Sequence, residues 1–536
     1  MLLIKTFIAA LKRVAAGFSM HEFIEFFGRE TATNPCIELD DTCLNYAEAN
    51  GRCNKMAHAF LEKGLGKGDR LAWLGMNSID LGLLYFASSK VGVVPTPLNY
   101  RLAPPEWVYI INDCTATVLV VEEAFCPGIE KIRNQLAHIK HFVCLDAQVD
   151  GWESYEQWIS AQPDYNPNHN IKPEDELYQM YTSGTTGLPK GAVLSQYAIE
   201  TNSRLTSIQF EARVSDTRIV VPLPMYHAAA GITIMCTFSN GGSIIVQREF
   251  NPVAVVDSLE KQGVTNVVLV PAMIQACLVA VADIDQRRFP ELRAMSYGAS
   301  PIAVDTLTRA IDVFGCKFLQ VFGMTETTAC ATLLSHQVHQ RAVNGEPHLL
   351  LSCGRASLGT QVRIVDENRQ EVPIGEVGEI AVKGPQLMMR YWNMPEATAK
   401  TLSDGWLYTG DAARMDEEGF VYIQDRIKDM IVSGGENIYP KEIENALFDH
   451  PNIVDAAIIG IPDEKFGEAV LGFIQTYDGE PIDTDTLIAF CRERLAGYKV
   501  PRKFEFIDLV PRNASGKILK KDLREPYWAG IERRVG

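Results

Sequence analysis

Residues 181–191 read Y-T-S-G-T-T-G-L-P-K-G. Thr182, Ser183, Thr185 and Thr186 supply hydroxyls, Gly184 and Gly187 leave the backbone uncrowded, and Lys190 adds one ammonium. A polyphosphate calls for such a set. Glycine lets backbone N–H groups approach the phosphate and adopt positive φ, and lysine adds a mobile point charge. A surface turn can share the composition, but it does not explain a lysine held between Pro189 and Gly191. The run is not a P-loop, which needs glycine-lysine followed by serine or threonine.

Further segments carry groups of complementary chemistry. They are P-M-Y-H at 224–227, S-Y-G-A-S-P at 296–301, V-F-G-M-T-E-T-T at 321–328, G-W-L-Y-T-G-D at 405–411, D-R-I-K-D at 425–429, S-G-G-E-N-I-Y-P at 433–440 and P-R-N-A-S-G-K-I-L at 511–519. Singly they say little. A histidine in an apolar run is usually a satisfied core residue, a lone aspartate or arginine is surface charge, and a lysine near a C-terminus is solvated. In order, and covering about residues 30–520, they resemble the adenylate-forming (ANL) superfamily of acyl-CoA synthetases, luciferases and peptide-synthetase adenylation domains.

That resemblance implies a role for each segment. Thr182, Ser183, Gly184, Thr185, Thr186, Gly187 and Lys190 would cradle the ATP phosphates. Gly298, Ala299, Phe322, Gly323, Met324 and Ile423 would wall the adenine site, with Phe322 stacking on the base. Thr325 would contact the α-phosphate, and Glu326 would hold Mg²⁺, a hard cation that is content with one or two carboxylates plus phosphate oxygens. Asp411 and Arg426 would bind the ribose. Tyr226, His227, Ala228, Gly231, Tyr297 and Gly298 would line the acyl pocket and its entrance. Lys517 would bind the carboxylate and bridge to the α-phosphate as charge builds there. Lys428 would be the hinge, and Ser433, Gly434, Gly435 and Glu436 would form the coenzyme A channel once the small domain rotates.

The sequence departs from the family pattern at Gln196, where many members have histidine, at Asp425, where glycine is common, and at 353–357, C-G-R-A-S, which lacks a proline after Arg355. These departures bear on substrate rather than on the chemical centre. The implied activity is ATP-dependent acyl-CoA ligation. The small residues Ala228, Ala229, Ala230 and Gly231 point to a roomy apolar pocket and a medium- or long-chain fatty acid. An aryl or arylpropenoic acid is the alternative, as is an adenylate passed to an amine or a carrier-protein thiol. A non-catalytic nucleotide binder would have little use for Lys190, Glu326, Asp411, Arg426 and Lys517 together. A luciferase-type oxidase shares the first half-reaction.

The elements that must position these groups are those of a layered α/β protein. Apolar strand candidates fall at 70–75, 117–121, 264–270 and 317–322, and Ser195 is placed to cap a helix. Short strands at 362–365, 378–382 and 419–423, separated by glycine and proline, predict a smaller β-rich subdomain. A boundary is expected at 425–429, dividing a large domain, 1–425, from a small α+β domain, 426–536, with a strand at 454–460 and a helix at 484–495. The 536 residues are too many for one core.

The net charge of −17 argues against nucleic acid as a partner. Twelve scattered cysteines without a C-x-x-C pair predict reduced thiols in a cytoplasmic protein. No apolar run reaches the roughly 18–20 residues of a membrane span. Residues 2–18 set an apolar stripe beside Lys5, Lys12 and Arg13. This predicts a helix packed on its own domain or touching the inner face of a membrane. A monomer or homodimer is expected.

Overall fold

The computed structural model describes residues 18–182, 189–210, 212, 214–300, 302, 304–426, 429–433, 436–463, 465–477, 479–512 and 518–529. Two sheets of mainly parallel strands form the layered α/β part. One runs Val94–Pro97, Arg70–Leu74, Val118–Val121, His141–Cys144, Glu153–Ser154, parallel throughout. The other has nine strands, and its central members Ser243–Val246, Arg218–Val221, Asn266–Leu269, Ala294–Gly298 and Lys317–Phe322 are parallel. Such strands are covered on both faces, so they read as continuous apolar runs without alternation. Val118–Val121 is buried at every position. Helix Ile79–Val91 is likewise buried along nearly its whole length.

A three-stranded sheet, Arg390–Tyr391, Lys190–Ser195, Glu176–Thr182, carries the stems of the phosphate segment. A β-rich sheet joins Gln361–Val365, Val377–Lys383 and Trp406–Met415, with Val421–Arg426 paired to the last. The C-terminal sheet is built on the hairpin Ile453–Asp463/Gly467–Thr476 and has its own apolar cluster, including Ile431, Ile443, Leu447, Ile458 and Leu487.

The strand expectations at 70–75, 117–121, 264–270 and 317–322 correspond to observed strands within a residue or two. Ser195 caps helix Gln196–Gln209, its side chain accepting from the Ala198 N–H. The strand expected at 454–460 is longer, Ile453–Asp463, because its hairpin partner extends the pairing down to Asp463↔Gly467. The helix expected at 484–495 is Thr484–Arg492. All twelve cysteines are free thiols, and only Cys43 is exposed. Among the described residues no helix is long and apolar enough to cross a membrane. The segment 2–17 lies outside the described residues.

Candidate active site

Three adjacent parallel strands, Asn266–Leu269, Ala294–Gly298 and Lys317–Phe322, end side by side. The region beyond the carboxyl ends of such strands is where open α/β sheets bind ligands. Gly298 faces Val321 in the ladder, and a Cβ there would lie 2.2 Å from the Val321 carbonyl oxygen. The close approach that glycine allows at Gly298 is therefore made to the neighbouring strand. Ala299 follows with φ 67°. Gly323 is similarly enclosed, its absent Cβ 2.4 Å from the Ala329 carbonyl carbon. Thr328 and Ala329 take φ of 50° and 64°, a region uncommon for residues with a side chain and characteristic of constrained sites.

The turn Thr325–Thr327 is held on both sides. The Met324 N–H donates to Thr327 Oγ1 at 3.0 Å and the Met388 N–H to the Glu326 carbonyl at 2.8 Å. Thr325 is buried, with Oγ1 3.5 Å from Met180 Sδ. The buried Glu326 carboxylate accepts from Tyr391 O–H at 2.6 Å. Burial and the Glu326 charge both push the Tyr391 phenol upward, so it stays a donor. Lys190 Nζ lies 5.1 Å from the centre of the Tyr391 ring. Tyr391 thus joins the lysine of one motif to the carboxylate of another. No sequence signal marked it, because its register against Ala192 arises only on folding. Thr182 ends its strand, its Oγ1 3.5 Å from the Lys190 carbonyl. Ser183, Gly184, Thr185, Thr186, Gly187, Lys428, Gly434, Gly435 and Lys517 lie outside the described residues.

Asp411 and Arg426 are direct cross-strand partners, with Arg426 Nε 2.6 Å from Asp411 Oδ1. Asp411 is 5% exposed, and its Oδ2 is buried without a hydrogen-bond partner. Leaving a buried acceptor unmet costs about 1–3 kcal/mol, more when it is charged. Phe322 and Ile423 pack at the edge of one apolar cluster with Ile364, Ile380 and Val421.

A cavity of about 160 Å³ is lined by Gly323, Met324 and Thr325, by residues of helices Gln196–Gln209 and Ala228–Ser239, and by Phe210, Ala212 and Thr217. Of the residues assigned to the acyl pocket, His227, Ala228, Tyr297 and Gly298 line it. Tyr226 and Gly231 do not. Tyr226 packs edge-on against Tyr100, ring centres 5.5 Å apart, and a Cβ on Gly231 would lie 3.0 Å from Tyr85 Oη. The physical reason is helical periodicity. Ala229, Ile232, Thr233, Cys236 and Thr237 form the lining stripe, while Ala230, Ile234 and Met235 turn into the core. That stripe repeats at threes and fours from Ala229. His227 caps this helix, Nδ1 accepting from the Ala229 N–H at 3.3 Å.

The polar groups around the cavity are spent locally. Thr233 Oγ1 donates to the Ala229 carbonyl at 2.7 Å, Thr237 Oγ1 to Thr233 at 2.8 Å and Ser207 Oγ to Ser203 at 2.6 Å. No Asp, Glu, Lys or Arg is among the described lining residues. Tyr297 O–H lies 2.9 Å from His339 Nε2, and His339 Nδ1 2.9 Å from the Ser335 carbonyl. The carbonyl takes the Nδ1 proton, so Nε2 accepts from the tyrosine. Burial lowers this imidazole to about 4.

Two departures have structural explanations. Gln196 is fully buried, its Oε1 accepting from the Met20 N–H at 3.1 Å and from Ser89 Oγ at 2.9 Å. Asp425 accepts from the Lys441 N–H at 2.8 Å and from Lys520 Nζ at 3.3 Å. Ser433 pairs with Glu436 across a hairpin, and Glu436 is exposed.

The chain matches the family described as AMP-binding enzyme over residues 25–392, and the AMP-binding enzyme C-terminal domain over 442–517. It is 36% identical over 515 residues to a fatty acid–acyl-carrier-protein ligase of Streptomyces coeruleorubidus, covering 95% of this chain and 96% of the relative. It is 38% identical over 491 residues to a feruloyl-CoA synthase of an Amycolatopsis species, covering 91% and 94%. The ATP-bound MatB of Rhodopseudomonas palustris superimposes with a TM-score of 0.86 at 29% identity, covering 96% and 100%. The chain belongs to the AMP-binding enzyme family of the ANL superfamily, and is an enzyme of the acid–thiol ligase type.

Proposed function

We propose that this enzyme activates a medium- or long-chain fatty acid as its acyl-adenylate and passes the acyl group to the thiol of coenzyme A. The observation that carries this reading is the cavity. It is bordered by Thr325 and by a largely apolar lining in which the Thr233 and Thr237 hydroxyls are bonded within their own helix. Among the described lining residues, an acid held with its carboxylate at Thr325 would meet no Asp or Glu to pair an amino acid's ammonium.

A carboxylate is a poor acyl donor because its leaving group would be an oxide. Its attack on the α-phosphate of ATP expels pyrophosphate and leaves a mixed anhydride. Lys190 and the hydroxyls at 182–186 would hold the departing phosphates, and Lys517 would steady the attacking side. Asp411 Oδ2 supports a ribose contact: it is a buried acceptor with no partner, which a ribose hydroxyl would satisfy, while Oδ1 stays on Arg426. Phe322, Ile423, Gly298, Ala299, Gly323 and Met324 would bound the adenine and α-phosphate. Mg²⁺ would be held by Glu326 together with substrate phosphate oxygens and would neutralise charge there. The donor set fits, being one hard carboxylate oriented by Tyr391. His227 and Tyr297 would flank the acyl chain. Rotation about Lys428 would then withdraw Lys517 and bring Ser433, Gly434, Gly435 and Glu436 to the thiol's path.

The fatty acid–acyl-carrier-protein ligase and the feruloyl-CoA synthase named above support two variants, a carrier-protein acceptor and an arylpropenoic acid. Pyrophosphate release across fatty, aryl and amino acids, with coenzyme A or a phosphopantetheinyl carrier protein supplied, separates them. Fatty acids are expected to release pyrophosphate, and thioester to form only with coenzyme A. Release with ferulate alone would replace the fatty acid, and release with no acid would overturn the reading. Lys517→Ala is expected to abolish release while sparing thioester formation from pre-made acyl-adenylate. We place the enzyme in the cytoplasm as a monomer or homodimer, with residues 2–18 giving weak contact with an anionic membrane. Vesicle sedimentation of the full chain against one starting at Met20 checks that contact.

A further inference from the structure

Lys190 sits between two carbonyls that are each held from outside its own strand. The Pro189 carbonyl accepts from Tyr109 O–H at 3.1 Å. The Gly191 carbonyl accepts from the Trp392 backbone N–H at 2.7 Å. The Trp392 indole Nε1–H in turn donates to the Asp113 carbonyl at 2.8 Å. Tyr109 and Asp113 stand four residues apart on helix Pro104–Asp113, hence on one face of it. The Asp113 carboxylate accepts from Tyr181 O–H, and Tyr181 is the cross-strand partner of Gly191. A ring of contacts therefore closes around Lys190 and returns to a single helix.

Two packing features keep that ring from sliding. A Cβ on Gly191 would come within 2.7 Å of Gln179 Nε2, so the Gln179 side chain packs directly over the glycine. The Arg70 guanidinium stacks on the Trp392 ring, 3.4 Å from its centre, and is itself paired with Glu176, which also pairs with Arg390. Lysine has a long flexible stem, and its useful charge is placed only as well as the backbone beneath it.

We propose that Tyr109, acting with Trp392 and the end of helix Pro104–Asp113, is a positioning residue for Lys190. It fixes the backbone on both sides of the lysine before ATP arrives. Ordering that would otherwise occur on binding is thereby built into the fold, which raises affinity for the phosphates without a contact to them. The helix lies far in sequence from every motif, and its P-P-E-W-V-Y-I-I-N-D sequence carries no sign of such a task. This inference rests on the reading of Lys190 as a phosphate ligand.

The test is acid-dependent ATP–pyrophosphate exchange by the full-length enzyme. Tyr109→Phe deletes one hydroxyl and keeps the ring. It is expected to raise the KM for ATP about 3- to 10-fold, the worth of one net hydrogen bond, to leave the KM for the acid within about twofold, and to leave thioester formation from pre-made acyl-adenylate unchanged. Trp392→Phe removes the indole donor and narrows the ring on which Arg70 stacks, keeps the backbone N–H, and is expected to act in the same direction. An unchanged KM for ATP in both variants overturns the proposal, as does an equal rise in the two KM values, which is the mark of a merely structural role. Absence of exchange in the unaltered enzyme would instead overturn the function proposed above, so the two failures are distinguishable.

Discussion

Asp425 and Arg426 are neighbours on one strand, yet they belong to opposite kinds of charged site. Asp425 is saturated. Its Oδ1 takes the Arg426 N–H and its Oδ2 takes both the Lys441 N–H and Lys520 Nζ. Lys520 reaches on to Glu444 Oε1 at 2.9 Å, which also accepts from the Ile458 N–H. Arg426 instead meets Asp411, whose second oxygen is buried and unmet. Side chains alternate between sheet faces, so one strand serves both. On one face both carboxylate oxygens of Asp425 are engaged by the fold; on the other, Asp411 keeps an unmet oxygen for the ribose proposed above.

The scaffold side is electrostatically expensive. Burial raises the Asp425 carboxyl despite the nearby Lys520. Burial alone would lower the Lys520 ammonium, but Asp425, Glu444 and Asp429 outweigh it and raise it. Lys441 is lowered by burial. Such a cluster tolerates the loss of a member poorly. Lys520→Met, which strands two carboxylates in the interior, is expected to cost about 3–5 kcal/mol by urea unfolding. A cost near zero would show that water reaches the cluster and that the contrast between the two faces is false.

Asp411→Asn tests the other face. It keeps the shape but removes the charge, and is expected to reduce kcat/KM for ATP on the order of 100-fold, two hydrogen bonds to a charged group, with little change in the unfolding midpoint. If it destabilises the fold as Lys520→Met does while sparing ATP use, the unmet oxygen is not a ligand site.

The Tyr297–His339 pair adds a saturated site with a pH signature. The imidazole falls from 6.5 to about 4 in the folded protein. Between those values the unfolded chain takes up a proton that the folded one refuses. The pair's contribution is therefore present above pH 6.5 and lost as pH falls toward about 4, about 3 kcal/mol in all. His339→Gln is expected to abolish that part of the decline, and an unchanged decline would place its cause elsewhere. The smallest effect is expected at Thr233. Its hydroxyl already serves the Ala229 carbonyl, so Thr233→Val should shift the KM for a fatty acid less than about twofold, within the range of one weak net hydrogen bond. A larger rise would mean that the acid carries a polar group to this point.

Chemistry confined to short runs was legible in the sequence. Glycines, hydroxyls and Lys190 in one stretch, Thr325 beside Glu326, and an aspartate and an arginine in ordered motifs all declare themselves, because each motif needs those residue types at fixed local spacing. The buried parallel strands declare themselves too, since covering both faces demands unbroken apolar runs. The tertiary structure alone decided what local spacing does not encode. It paired Asp411 with Arg426 and left one oxygen unmet, and it set Tyr391 between Lys190 and Glu326. It turned Tyr226 and Gly231 away from the cavity while bringing Thr233 and Cys236 in, and it carried helix Pro104–Asp113 to the flanks of Lys190. Those outcomes depend on strand register and helix phase, which are fixed by pairing and packing with other segments of the chain, and a linear reading contains neither.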